Sequence, residues 1–487
     1  MQIHISALLV IISLLTGCAI QVPRDGDFET VKQIVEDRID HDVYWYQGGE
    51  EDERVREVLD NLLAQPLTIT SAVQIALLNN LDLQSEYENL GIAQADLVQA
   101  GLLSNPVLFG SVRFPKGGDG GNNIEFGIAK EFLEILLRPA RERVAAVEFE
   151  KTRLRVVDAV LELAARVQSA YYQVQATQQL VELQKLNTEA ADTSYELARK
   201  FDDAGNMRPR ILAHERSAAA AMTASLLRAN ADLQSARDRL NVYLGIAGVG
   251  SDWVLAEQLP ELPGQDPDRK SAIALALEQR LDLAVAEKQI EQLTESLTMT
   301  RDFRFIGGAE FGVSTERDPD GGRVTGPDFS VELPLFDQRQ AKIARLESLL
   351  AQSRSRCEAL RTGIRNEVQS AHNRVIAART LSEYYRDELL PALEQVVEYT
   401  QQEQNYMLVD VFELLTVRRQ QVEARKNYIE ALADYWISRA ELSRATGAGM
   451  PAIDHPDIAR QLDTEDMDIH RVVAIKHTGT EQAGDTP

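Results

Sequence analysis

Residues 303–337 read FRFIGGAEFGVSTERDPDGGRVTGPDFSVELPLFD. At the start of this stretch Phe303, Phe305, Ala309, Phe311 and Val313 fall on one face, and Arg304, Glu310 and Ser314 on the other. A polar, Gly-rich interruption over 315–327 follows. Phe329, Val331, Leu333 and Leu335 then alternate against Ser330 and Glu332. A period of two marks strands with one apolar and one polar face. From Asp337 the period becomes helical and holds to about Gln402, with no proline between Pro334 and Pro391. A strand pair that feeds directly into so long a helix decides the fold.

The same signal occurs earlier in the chain. Over 107–114, Leu108, Gly110, Val112 and Phe114 alternate with Val107, Phe109, Ser111 and Arg113. Over 124–132, Ile124, Phe126, Ile128 and Phe132 alternate with Glu125, Gly127, Ala129 and Glu131. The Gly-rich segment 116–122 between them carries no GxxxxGK, so it reads as a hairpin loop rather than a phosphate cradle. A helix is predicted over 137–201. Val156, Leu163, Ala170 and Thr177 recur every seven residues along it, as do Val160, Val167, Val174 and Val181. That is a coiled-coil-like seam. Asp202-Asp203-Ala204-Gly205-Asn206 breaks it, and an Ala-rich helix returns over 208–244 to stop at Gly245 and Gly248.

The second half repeats the first. AIALALEQRLDL at 272–283 echoes AVQIALLNNLDL at 72–83, a shift of 200. Helix, strand, loop, strand, long helix, tip and returning helix then recur in the same order. Leu350, Cys357, Ile364, Ala371, Ala378 and Tyr385 step by sevens along the second long helix. Asn405 to Asp410 form its tip, and 411–446 returns to Gly447. The chain is one duplicated unit. The first repeat spans 67–249, with a helix over 68–103 capped by Thr70 or Ser71 and strands within 107–132. The second spans 250–449, with strands within 303–335, and 450–487 reads as a flexible tail.

Residues 1–17 read as a signal peptide with an apolar run from Ala7 to Leu15, although Met1 and His4 stand where Lys or Arg is usual. Leu15-Thr16-Gly17-Cys18 resembles a lipobox, which would leave Cys18 for acylation. Ala19 after it then implies sorting to the outer membrane. Residues 18–66 form an acidic arm, read as extended with a short helix over 53–63. With Cys18 consumed, Cys357 has no partner, so no intramolecular disulfide holds the fold and Cys357 reads as a small core residue.

A formal charge of −25 argues against nucleic acid as a partner. After the N-terminus no run approaches the ~20 apolar residues of a spanning helix, so any membrane insertion must use strands. Four strands cannot close a membrane barrel, and an open edge is forbidden in lipid. Copies must therefore pool strands, and three chains would supply twelve. No catalytic constellation, metal site or cofactor motif is present. The histidines are scattered without HExxH spacing, and His214-Glu215 reads as a surface pair. An enzyme is not expected.

The duplication, the lipobox and three strings resemble the TolC family of outer-membrane efflux channels over about 66–447. The strings are FSVELPLFD at 329–337, AIALALEQRLDL at 272–283 and LVDVFE at 408–413. The resemblance implies a mainly α fold with a small membrane β-barrel: a homotrimer whose twelve strands form one barrel in outer-membrane lipid, continued by an α-helical barrel through the periplasm. It implies a passive exit duct for metal ions or drugs, closed at its tip until a periplasmic adaptor and an inner-membrane pump engage. A type I protein-secretion duct is the alternative. A periplasmic adaptor fits less well, because adaptors have one hairpin flanked by lipoyl-like β segments. The family's paired acidic residues match Asp410 and Glu413, which a threefold axis would turn into stacked rings that favour cations. Asp202 and Asp203 would add to them. Asp410 also reads as an N-terminal helix charge, and the two roles are compatible. Adaptor hairpins would dock around Gly205, Asn206, Tyr406 and Met407. Gly205 matches the family's tip glycine, whereas the second tip has none.

Overall fold

The computed structural model describes residues 23, 25–114, 121–246, 253–256 and 258–448. The signal segment with Cys18, most of the 116–122 loop and the 450–487 tail lie outside the described residues.

Two helices, α1 (Phe28–Ile39) and α2 (Glu50–Ala64), form where the sequence predicts mostly an extended arm. The correction has a simple cause. Phe28, Val31 and Val35 share one face of α1 and are buried, so the segment is amphipathic despite its acidity. Its last turn carries Arg38, whose guanidinium donates to the carbonyls of Gln279 (3.0 Å) and Gly447 (2.7 Å), the ends of two distant helices.

The expected helix over 68–103 is two helices, α3 (Ile69–Asn79) and α4 (Leu81–Gly101). The cap of α3 is Thr68, not Thr70 or Ser71. The Thr68 hydroxyl accepts from the Ser71 amide, and the Ser71 hydroxyl accepts from the Thr68 amide. Asn80 breaks the run with an extended backbone and caps α4 by accepting from the Leu83 amide at 2.9 Å. The break recurs 200 residues on, where Arg280 separates α7 (Arg269–Gln279) from α8 (Leu281–Asp302).

Between these helix pairs run the strands and rods of the first repeat. Strands β1 (Val107–Arg113) and β2 (Asn123–Glu131) lead into α5 (Leu133–Asp203), and α6 (Pro209–Leu244) returns alongside it. α5 has 71 residues, a rod of roughly 105 Å at ~1.5 Å per residue. Both seams read from the heptads are buried from Val156 to Val181. The second repeat supplies β3 (Ala309–Arg317) and β4 (Arg323–Val331), then α9 (Gln340–Tyr384), a π-helical turn (Tyr385–Leu389), α10 (Leu390–Asn405) and α11 (Val411–Thr446). The π turn lies where Pro391 cannot donate to the Asp387 carbonyl. It ends the heptad step: Ala378 is buried, but Tyr385 is only half-buried. Against α5 lie α6, α4, α8 and α11, and α9 lies against α8 and α11. The joint is aromatic: Tyr172 of α5 stacks on Trp436 of α11 at 5.3 Å, and both are fully buried.

All four strands form one antiparallel sheet in the order β1-β2-β3-β4. The faces follow the alternation. Leu108, Val112, Ile124, Phe126, Ile128, Phe311, Val313, Phe329 and Val331 share one face by register, and Ser111, Arg113, Glu125, Glu316, Ser314 and Glu310 share the other. β3 and β4 are displaced from their predicted spans. Phe303 follows directly on α8 and Leu333 lies beyond β4, whereas Thr315, Glu316, Arg317, Arg323 and Thr325 are strand rather than loop. The turn is only Asp318–Gly322, closed by the Gly321 amide on the Asp318 carbonyl. Gly127 faces Phe109 across the β1–β2 pair, and a Cβ there would lie 2.3 Å from the ring.

His214-Glu215 is not a surface pair. Glu215 is 3 % exposed on the same α6 stripe as Ala219. Its carboxylate accepts from the Ser194 hydroxyl of α5 at 2.7 Å and the Arg419 guanidinium of α11 at 2.8 Å. Burial pushes this carboxyl up, but the bonds from Ser194, His214 and Arg419 outweigh that and hold it below the usual carboxylate range. The joint therefore contributes in full above the ordinary carboxylate pKa, and the contribution is lost as pH falls through the depressed value.

Two outcomes are expected. Arg419→Met should lower stability at neutral pH by about 3 kcal/mol, the low end for a broken buried pair because Arg419 is partly exposed, and should flatten the acid dependence of the thermal midpoint. Gly127→Val should cost about 1–3 kcal/mol by overpacking, and adding Phe109→Ala should recover most of the lost midpoint.

Candidate functional site

The residues singled out from sequence lie at two hairpin turns. In the first, α5 ends at Asp203. Gly205 takes φ +75°, and the Asn206 amide donates to the Phe201 carbonyl at 2.9 Å. In the second, α10 ends at Asn405. Met407 takes φ +61°, and the Leu408 amide donates to the Glu403 carbonyl at 2.9 Å. Both are Schellman-type endings with a left-handed residue at the same place. The turns differ only in what fills them.

The Glu215–Arg419 joint brings both turns to one end of the molecule. Glu215 lies six residues into α6 and Arg419 eight into α11, so the joint is about 9 and 12 Å from the two helix starts at ~1.5 Å per residue. Sequence reasoning passed over this joint. Its signal was the four-residue step from Glu215 to Ala219, which places the acid on the buried stripe.

Asp410 is the N-cap of α11, and its carboxylate accepts from the Glu413 amide at 2.9 Å. Glu413 lies in the first turn, where the helix dipole favours an anion. The structure thus gives Asp410 the capping role. Cap and third residue stand on the same side of the turn, about 4.5 Å apart along the axis at ~1.5 Å per residue, and both residues are exposed. Asp202, Asp203, Gly205, Asn206, Tyr406 and Met407 are exposed as well. Leu408, absent from the candidates, is 73 % exposed beside them. Among the described residues no group of three or more His, Cys, Asp or Glu side chains could hold a metal ion, and no helix is long and apolar enough to cross a membrane.

Residues 272–448 match the family model described as outer membrane efflux protein. That match covers the second repeat, and the first repeat is built from the same elements in the same order. The chain is 22 % identical over 402 residues to the cobalt-zinc-cadmium resistance protein CzcC of Cupriavidus metallidurans, covering 79 % of this chain and 91 % of that one. In fold it is similar to the outer membrane channel CmeC of Campylobacter jejuni, with a TM-score of 0.67 at 14 % identity, covering 85 % of this chain and 92 % of that one. It is also similar to the outer membrane protein VceC of Vibrio cholerae, with a TM-score of 0.63 at 15 % identity over 82 % and 98 %. An amphipathic four-stranded sheet on a duplicated pair of helical rods is the unit this chain presents, its fold is that of the outer-membrane channels named above, and its second repeat carries the outer membrane efflux protein model.

Proposed function

We propose that this chain is the outer-membrane exit duct of a tripartite efflux system, passively conducting metal ions delivered by an inner-membrane pump through a periplasmic adaptor. The observation that carries it is the sheet. Its apolar face is exposed, with Leu108 at 77 % and Phe329 at 81 %, and β1 and β4 each leave one edge without a partner among the described residues. Such a sheet is stable in lipid only when its edges meet. Two copies would give eight strands, whose interior side chains fill. Three give twelve and leave a lumen lined by the polar face of Arg113, Glu125, Glu310 and Glu316. The rods below the sheet then form the periplasmic part of the same tube. The chain works as a conduit, not as an enzyme.

Metal ions are favoured over drugs by the likeness to the cobalt-zinc-cadmium resistance protein. The protein-secretion alternative has no such support. In this reading Cys18 carries the acyl anchor, the three copies of Asp410 and Glu413 form two stacked acidic rings at the constriction, and Asp202 and Asp203 add charge beside them. The hairpins of the adaptor dock at the turns around Gly205, Asn206, Tyr406 and Met407.

Deleting the gene should sensitise its host to divalent cations more than to dyes or antibiotics, with resistance restored by the wild-type chain. Equal sensitivity to dyes would make it a multidrug duct. Asp410→Asn with Glu413→Gln keeps a good helix cap and removes the charge. Its thermal midpoint should stay near wild type while cation preference in planar-bilayer recordings falls, and an unchanged preference would end the acidic-ring role.

A further inference from the structure

The two faces of the sheet segregate charge by sign. Every acidic residue of the four strands, Glu125, Glu131, Glu310, Glu316 and Asp328, falls on the polar face by register. The apolar face carries no acid. Its cations are Lys130 at the rod end, which donates to the Ser104 carbonyl, and Arg317 and Arg323 at the turn end. The remaining strand cation, Arg113, lies on the polar face, where Glu125 at 3.1 Å and Glu316 at 3.9 Å neutralise it.

Arg317 and Arg323 have no such arrangement. They stand directly opposite each other across β3 and β4, and both are exposed. Like charges in that position repel and weaken the pairing. Among the described residues neither guanidinium is paired with a carboxylate. In the adjoining turn Asp320 accepts from the Gly322 amide at 3.0 Å. Closing the barrel adds no partner, because β1 of a neighbouring copy, VLFGSVR, contains no acid. The next pair inward on the same face is Thr315 and Thr325, whose hydroxyls lie 3.0 Å apart, and Val313 and Phe329 follow.

Resting on the duct reading above, we infer that Arg317, Arg323 and the hydroxyls of Thr315 and Thr325 form a phosphate site for the anionic headgroup of an outer-leaflet lipid. The level fits. α5 leaves the sheet just after Glu131, whereas Arg317 stands opposite Ile124 at the other end of β2. It lies six residues beyond Phe311, about 20 Å of strand. With the rods in the periplasm, this end of the lipid-facing surface meets the headgroups of the outer leaflet. Paired guanidinium forks match phosphate oxygens, and a phosphate between them turns a repulsive pair into a bridge between strands. The apolar strip of Val313, Phe311 and Phe329 runs on from the site, so headgroup and acyl chains are held together. That continuity selects a lipid over free phosphate.

The test is microscale thermophoresis of the detergent-solubilised full-length protein. It is titrated with diphosphoryl lipid A, with the same lipid stripped of its phosphates, and with inorganic phosphate. Wild type should bind the diphosphoryl lipid about tenfold more tightly than the stripped one, and equimolar inorganic phosphate should not displace it. Arg317→Thr with Arg323→Thr should erase that preference, while its lipid-free thermal midpoint equals or exceeds wild type because the repulsion is gone. Arg113→Gln, which removes a cation near the same level of the opposite face, should leave the preference within about twofold. An undiminished preference in the double variant, an equal loss in Arg113→Gln, or displacement by equimolar inorganic phosphate would overturn the inference. So would a lowered midpoint of the lipid-free double variant, because the arginines would then be supporting the strands themselves. A wild-type protein that stays in solution without detergent and binds neither lipid would contradict the duct reading instead.

Discussion

A backbone amide or carbonyl without a partner is tolerable in water and costs several kcal/mol in hydrocarbon. The outer edges of β1 and β4 present a row of such groups beside an apolar face that has no place in water. Everything else follows from meeting both demands at once. In the proposed duct the sheet lies in lipid and its two outer edges meet those of further copies with the same twist and register. The rods would take the symmetry of such a closed sheet, because α5 begins two residues after β2 ends.

Duplication makes the unit cheap to encode and lets its halves diverge. Asn80 and Arg280 stand at the same helix break but secure it differently. Asn79 and Asn80 donate to the carbonyls of Leu244, Gly245 and Tyr243 at the end of α6. Arg280 donates to the Ala445 carbonyl at the end of α11 and pairs with Asp282 and Glu367, while Arg38 reaches Gly447 from α1. Buried helix ends with spare carbonyls are thus closed by amides in one repeat and by cations in the other. At the far end the same divergence separates the Gly205 turn from the Met407 turn.

Much of this was legible because alternation and heptads are simple periods. Strands β1 and β2, the buried seams and the returning helices lie within a few residues of their predicted spans. β3 and β4 slipped toward their turn for a physical reason: Thr315, Glu316, Arg317, Arg323 and Thr325 lie at the turn end of the hairpin, where polar residues face both sides and no alternation survives. Phe303 and Phe305 continued the alternation by chance beyond the end of α8. α1 was missed because acidic composition outweighed the three apolar residues on its buried face. The tip residues were found through order in the chain, but the Glu215 joint needed tertiary knowledge, since Arg419 is 204 residues away.

Native mass spectrometry of the protein extracted from membranes into detergent tests most directly whether three chains close one barrel. Particles of three chains are expected, with none of two. Particles of two chains would contradict it, because eight strands close around their own side chains and leave no duct.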